Sequence, residues 1–273
     1  MMPIRSDLER LQLSVAGKMT KEYDSVYLSP HPDDAIFSCA GRIWLQRRQG
    51  QSVLIATMAT RDPQGRLSSI ARRLHDRGGM EPDSLEVRRG EDRQAAEILG
   101  ADLIHGDLED AVYRAEVGSN RWLYPSLRRL FGKIHPADRQ FPEDLDRLIQ
   151  ELPSHTELVV PLSVGRHVDH RLVRAAAERV AAASLLYYED FPYAERRRAV
   201  HRALRPRRAW VDCTTDLSLE AVAAKVRAAS VYTSQIDLIF GSPRRLRQAI
   251  RRRARRLGGE RYWRRQDDRP ESD

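Results

Sequence analysis

Cysteine is scarce: the 273 residues include two, Cys39 and Cys213. Thiols so few and so far apart build neither a disulfide framework nor a zinc ribbon, and they point to a reducing compartment. Long apolar runs are missing as well. No stretch approaches the roughly 18 to 20 residues of a membrane span, and the opening MMPIRSDLERLQLSVAGK has acids and bases where a secretory signal needs an apolar core. The cytoplasm is therefore the expected location. Most of the chain also lacks net charge. The total is +8, but the stretch from Arg244 to Arg265 holds 11 Arg against one Glu and carries +10, while the tail after it carries −3. The first 243 residues share only +1. This argues against a nucleic-acid partner for the body and confines any electrostatic role to the C-terminal segment. Internal repeats and low-complexity linkers are absent.

What is present is a pattern of short apolar runs alternating with longer helical stretches, in a chain that is 41% hydrophobic and 32% charged. Strands are predicted at 25–30, 52–60, 102–107, 157–162 and 185–190. Their apolar character is continuous rather than alternating, as in parallel strands covered on both faces. Helices are predicted at about 35–49, 84–99 (closed by Gly100), 142–151, 169–183, and 216–230 behind Thr215 or Asp216 as N-cap. The expected fold is α/β: a Rossmann-like, mostly parallel sheet with helices on both faces. One domain is expected over 1–243, with an Arg-rich extension over 244–273. In that extension Leu246, Ile250, Ala254 and Leu257 form a narrow apolar stripe on a helix otherwise covered by Arg. Attraction of an anionic substrate or an anionic membrane surface is its functional reading, and a solvated helix docked on the body is the plain one.

Two stretches interrupt the pattern, 61–83 and 108–141. Loops of that length leaving the C-terminal ends of strands sit where open α/β sheets bind ligands. Two clusters of metal-capable side chains occupy the same edge. The first strand runs directly into His31-Pro32-Asp33-Asp34, and the fourth is followed by His167-Val168-Asp169-His170. If the strand order is 3-2-1-4-5, the first and fourth strands flank the point where the winding reverses, and His31, Asp34 and His170 converge. Two imidazoles and one carboxylate are a ligand set that leaves a coordination position for water. Asp33 faces away from its neighbour and is available as a base. His167 stands near the start of the same helix as His170, and Asp169 could orient one of the imidazoles through its ring N–H.

The two motifs, H-P-D-D and H-x-D-H in this order at matching strand ends, resemble those of the LmbE-like, or PIG-L, zinc-dependent de-N-acetylases. The resemblance extends to EVRRGEDRQAAEILGAD, LEDAVYR, YYEDFPYA and KVRAASVYTSQI, and so covers most of 22–240. It implies hydrolysis of the N-acetyl group of an N-acetylglucosamine-type sugar conjugate by attack of a zinc-bound water. Zn2+, or another divalent ion, would be held by His31, Asp34 and His170. Asp33 would be the general base, and His167 would stabilise the tetrahedral intermediate or protonate the leaving amine. Many members carry Glu after H-P-D-D where this chain has Ala35, a change at a position that is neither ligand nor base. Arg61 and Asp62, at the end of the second strand, and Arg88, where the family helix tends to carry Arg, are candidate sugar contacts. Glu91 is read as a surface partner of Arg88. His135–Asp138 (HPAD) imitates the first motif but reads as a turn, His105 as a hydrogen-bonded core residue, and Cys39 as packing. A non-catalytic sugar-binding protein keeping the fold is the alternative function. It leaves Asp33 without a purpose. A phosphoester hydrolase would call for two metals and more carboxylates than the motifs supply.

Overall fold

The computed structural model describes residues 21–80, 85–119, 121–138, 140–181 and 184–266. The opening segment and nearly all of the acidic tail lie outside them. The first strand among the described residues is β1 (Tyr23–Ser29), buried at every position but Asp24 because both faces of the strand are covered. Val26 and Leu28 enter one core and Tyr27 the opposite one, the two-residue period of a strand. There follow α1 (Asp34–Arg48), β2 (Val53–Thr57), α2 (Ser69–Gly78), α3 (Glu86–Leu99) and β3 (Asp102–His105). The next part holds α4 (Leu127–Leu130), α5 (Gln140–Gln150), β4 (His155–Pro161), α6 (Val168–Val180) and β5 (Ser184–Tyr188). The last part holds α7 (Arg197–Ala203), β6 (Trp210–Asp212), β7 (Thr215–Asp216), α8 (Leu219–Ala229), α9 (Thr233–Ile239), α10 (Pro243–Leu257), β8 (Gly259–Glu260) and β9 (Tyr262–Arg265).

The main sheet has the order β3-β2-β1-β4-β5-β9-β6. Its first five strands are parallel, as expected, with β1 between β2 and β4. The C-terminal ends of β1 and β4 are therefore neighbours at the switch in winding, and both motifs leave the sheet there. On one face α5 and α6 supply Phe141, Leu145, Ile149, Val173 and Ala176 to the core. On the other face α1, α3, α8, α9 and α10 supply Phe37, Ile43, Ala95, Val226, Ile236 and Leu246. Gly100 closes α3 in the left-handed conformation (φ 70°), where a glycine avoids the steric cost of a Cβ.

Several expectations need correction. The N-cap of α8 is Ser218, whose hydroxyl accepts from the Ala221 N–H at 3.2 Å; Thr215 and Asp216 belong to β7 instead. The long interruptions are not irregular loops. They contain α2 and α4 and close on an apolar cluster of their own that includes Ile70, Ala111, Tyr113, Leu123, Tyr124 and Leu130. This cluster stands over the strand ends and walls the motif edge.

The C-terminal segment is not an extension that begins at 244. After α10 the chain returns as β9, which pairs antiparallel with β5 on one side and β6 on the other. Tyr262 and Trp263 are buried. On α10 the inward positions are Leu246, Ile250 and Arg253, with Ala254 and Leu257 only half-buried. Arg253 is bound to Glu189 and, at 3.2 Å, to Glu195. Glu260 of β8 accepts from Lys225 at 2.6 Å and from the Gly41 and Arg42 N–H groups at 2.9 Å. Gly41 lets the two segments approach closely there, since a Cβ would lie 2.6 Å from Leu217 Cδ1 and 2.9 Å from Glu260 Oε1 and both side chains would have to shift. Among the described residues no helix is long and apolar enough to cross a membrane.

Candidate active site

The turn after β1 is held by its own side chains. Ser29 Oγ donates to the His31 carbonyl at 2.7 Å and accepts from the Ala35 N–H at 3.0 Å, while Asp34 Oδ2 accepts from the His31 N–H at 3.0 Å. These bonds fold His31 and Asp34 back onto each other. Asp33 lies between them with φ 113° and ψ −34°, a conformation that costs a non-glycine residue on the order of 1–3 kcal/mol.

Asp34 Oδ2 is the centre of the cluster, 3.1 Å from His31 Nδ1 and 3.2 Å from His170 Nε2. The remaining nitrogen of each ring is fixed by a different carboxylate. His31 Nε2 is 3.0 Å from Asp169 Oδ2, and His170 Nδ1 is 2.6 Å from Asp190 Oδ1. Asp169 is held in turn by Arg114 and by the Ala111 N–H at 2.9 Å, and Arg114 also binds Asp138 at 3.0 Å. Asp190 accepts from the Val164 N–H at 2.9 Å, which ties the end of β5 to the loop after β4. Asp110 approaches His31 Nε2 at 3.5 Å.

His167 caps α6, its Nδ1 accepting from the Asp169 N–H at 3.3 Å. Its ring stands edge-on to His31 at 4.9 Å and to Phe131 at 5.2 Å. Arg88 is buried beneath the first motif, donating from Nη2 to the Pro32 carbonyl at 2.8 Å and to Asp33 Oδ2 at 3.3 Å. Its place is behind Asp33. Arg61 and Asp62 remain at the rim: Arg61 binds Asp107 at 3.0 Å, and Asp62 binds Arg89 at 2.8 Å and accepts from the Leu85 N–H. Glu91 does not pair with Arg88. It is buried and accepts from Thr233 Oγ1 and the Ser234 N–H at the start of α9.

The other singled-out residues have structural partners. His105 binds Asp92 at 3.1 Å, and Asp92 also receives Thr57 and Tyr232. Asp138 accepts from Tyr124 and Arg114, and Cys39 is buried in the core.

Burial and charge shift the titrating groups in opposite directions. For Asp33, burial and then the Asp34 carboxylate raise the pKa to about 8, against the pull of Arg88. For His167, burial lowers it to about 4. His170 is also penalised by burial, but Asp34 and Asp190 outweigh that and raise it to about 10. Burial likewise disfavours the His31 cation, and Asp110, Asp169 and Asp34 together overcome it and hold its pKa well above the usual value. Asp34 is held well below the carboxylate range by His170 and His31 despite its burial.

Asp190, Asp110 and Arg114 were not singled out from the sequence. Each lies in a segment noted there, YYEDFPYA or LEDAVYR, just past the end of a strand. The signal available was position: β5 adjoins β4, so the second of the two acids beyond β5, Asp190, meets His170 of α6, while the first, Glu189, turns to Arg253 and Trp263.

A model of the family described as PIG-L, GlcNAc-PI de-N-acetylase, matches residues 26–181. The chain is 32% identical over 220 residues to a 2'-N-acetylparomamine deacetylase of Streptomyces fradiae, a match spanning 78% of this chain and 74% of that one. A protein of the same name from Niallia circulans is 31% identical over 186 residues, spanning 62% and 66%. Among solved structures, a deacetylase–teicoplanin complex superposes with a TM-score of 0.72 at 26% identity, covering 91% of this chain and 100% of that one. The zinc-inhibited form of teicoplanin deacetylase Orf2 shares the fold with a TM-score of 0.75 at 24% identity, with the same coverage.

Proposed function

Because the chain belongs to the PIG-L family, we propose that it is a metal-dependent deacetylase that hydrolyses the N-acetyl group of a small amino-sugar conjugate of the glucosamine type. The observation that carries this reading is the orientation of two imidazoles. His31 and His170 each turn one nitrogen toward Asp34 Oδ2 and have the other anchored by a separate carboxylate, Asp169 or Asp190. Anchoring the far nitrogen fixes the tautomer and raises the basicity of the near one, the arrangement expected behind metal-ligating histidines.

The donor set fits a divalent ion. Donor atoms all within 4.8 Å of one another occur in two groupings, His31 with His167 and His170, and His31 with Asp110 and Asp169, while Asp34 Oδ2 meets His31 and His170 pairwise at 3.1 and 3.2 Å. Arg114 already neutralises Asp169, and a guanidinium beside a dication is repulsive. His167 commits its Nδ1 to a backbone N–H. We assign His31, Asp34 and His170 as the ligands because Asp34 Oδ2 lies within 3.2 Å of a nitrogen of each ring, and His167 keeps its Nε2 for the developing oxyanion. An ion held there supplies Lewis acidity, polarising the amide carbonyl and acidifying water near neutral pH.

Asp33 is the assigned general base. It is buried beside the ligands, and Arg88 holds its carboxylate in place. It takes a proton from the attacking water and passes it to the nitrogen of the breaking amide, so that acetate and a free amine leave. Burial raises its pKa from the ordinary carboxylate value toward neutrality, which suits a group that must both accept a proton and give it back. His167 accepts a hydrogen bond at Nδ1, so its neutral ring carries the proton on Nε2. With its pKa lowered to about 4 it stays neutral at pH 7 and serves as a donor to the oxyanion developing on the acetyl carbonyl. Asp169 acts through His31.

The paromamine and teicoplanin relatives support an N-acetylated amino-sugar conjugate as substrate class. The test is acetate release from N-acetylparomamine and other N-acetylglucosamine conjugates, with and without a chelator. Release that stops on chelation and returns with Zn2+ or another divalent ion is expected. Release that survives complete metal removal would sink the mechanism.

A further inference from the structure

A groove of about 370 Å³ opens between α6 and α7, bounded at one end by the loop after β4. Its volume falls within the roughly 300–1,000 Å³ typical of small-molecule sites. Four arginines line it: Arg166 from the loop, Arg171 and Arg174 from α6, and Arg202 from α7. The lining contains one carboxylate, Glu178. That carboxylate is already committed, because Glu178 Oε1 receives Arg174 at 2.9 Å and Arg265 at 2.7 Å. Arg174 spends a further N–H on the Leu162 carbonyl, and Arg171 spends one on the Gly132 carbonyl, both at 2.9 Å. Among the described residues no ion pair involves Arg166 or Arg202.

The groove thus concentrates positive charge that the protein does not neutralise. Arg171 registers this: burial and then the neighbouring Arg166 lower its pKa. The loop that delivers Arg166 is itself strained, with positive φ at Ser163 (62°) and Arg166 (64°), a conformation costing roughly 1–2 kcal/mol for each non-glycine residue. Arg166 and Arg202 are exposed and hydrated rather than paired, so an anion entering the groove meets guanidiniums with no carboxylate partner among the described residues.

We propose that this groove binds a phosphate-bearing small molecule. The phosphate would sit among Arg166, Arg202 and the remaining N–H groups of Arg171, with the uncharged part of the ligand against Ile134, Val164 and Ala199. A phosphomonoester carries about −1.5 to −2 at neutral pH and offers three acceptor oxygens, which suits several guanidinium forks lining one groove better than a single carboxylate does. The site does not rest on the reaction proposed above.

The test is calorimetric titration of the full chain at low salt with glucose 6-phosphate as probe and glucose as neutral control. Saturable one-site binding of the phosphate ester and none of glucose is expected. Affinity should fall at least about tenfold in R202E, fall less in R202Q, and stay within about threefold in R202K. Raising ionic strength from 0.01 to 0.15 M shortens the screening length from about 30 to 8 Å and should weaken binding to the wild type. The proposal is overturned by equal binding to wild type and R202E, which places the anion elsewhere. It is equally overturned by glucose binding as tightly as its phosphate, or by a wild type with no saturable binding.

Discussion

The motif edge and the C-terminal segment are both dense in charged residues, yet they use charge differently. At the motif edge, buried charges face one another around Asp34, and each imidazole, carboxylate and guanidinium has a partner that fixes its direction. On α10 most arginines stay exposed, and a single one, Arg253, is drawn inside by Glu189. Composition could not separate these cases, since a run of arginines reads as a solvated appendage. The difference lies in what surrounds the charge: β9 occupies the sheet between β5 and β6, so the basic segment is part of the domain's frame.

Removing that frame is the most severe way to break the comparison. A chain ending at Ser242 loses α10 and β9, exposes the edge of β5 and uncovers Leu246's neighbours in the core. It is expected to lose cooperative thermal unfolding altogether, and a truncated chain melting cooperatively near the full-length Tm would restore the picture of an extension. A single substitution separates the two kinds of arginine. Arg253→Ala leaves Glu189 buried without its cation and should cost about 3–5 kcal/mol. Arg251→Ala, on the exposed face, should stay within about 0.5 kcal/mol. Denaturant unfolding of the two variants measures both.

At the motif edge the sequence was legible because chemistry restricts residue type and strand ends restrict position. His31, Asp34 and His170 could be brought together from the predicted strand order alone. The groups that aim them were legible only in part: Asp169 could be named as the anchor of an imidazole, but not that the ring was His31, 138 positions away, and Arg114, 55 positions from Asp169, carried no signal. No local spacing marks a carboxylate as the anchor of an imidazole on another strand. The same reason hid Arg253, whose partner Glu189 lies 64 positions away. The periodicity favoured Ala254 for the inner face, and an ion pair took the place of an apolar contact. Glu91 and Arg88 were misjudged together, since a three-residue spacing allows a surface pair, but each found a buried partner elsewhere.

Two smaller effects sharpen the contrast. His167 is held neutral by burial, its folded pKa near 4 against an ordinary 6.5. A depressed pKa adds stability that is complete above pH 6.5, declines as the pH falls, and is gone below about pH 4. The loss is on the order of 3 kcal/mol. His167→Gln should flatten the fall in unfolding free energy between pH 6.5 and 4, and an unchanged profile would assign that fall to other groups. Asp190→Asn keeps the shape of the His170 anchor and removes its charge. Metal affinity should drop about 10- to 100-fold, read by competition with a chromogenic chelator, while the thermal transition of the protein moves little.

The division of labour between two adjacent carboxylates is tested most directly by measuring metal content and acetate release together in Asp33→Asn and Asp34→Asn. Asp33→Asn should retain one equivalent of metal and lose activity by a factor of about 10² to 10⁴. Asp34→Asn should bind metal weakly and recover part of its activity when metal is added in excess. Reversed phenotypes, or an Asp33→Asn enzyme with full activity, would contradict the assignment of Asp33 as the base and Asp34 as the ligand.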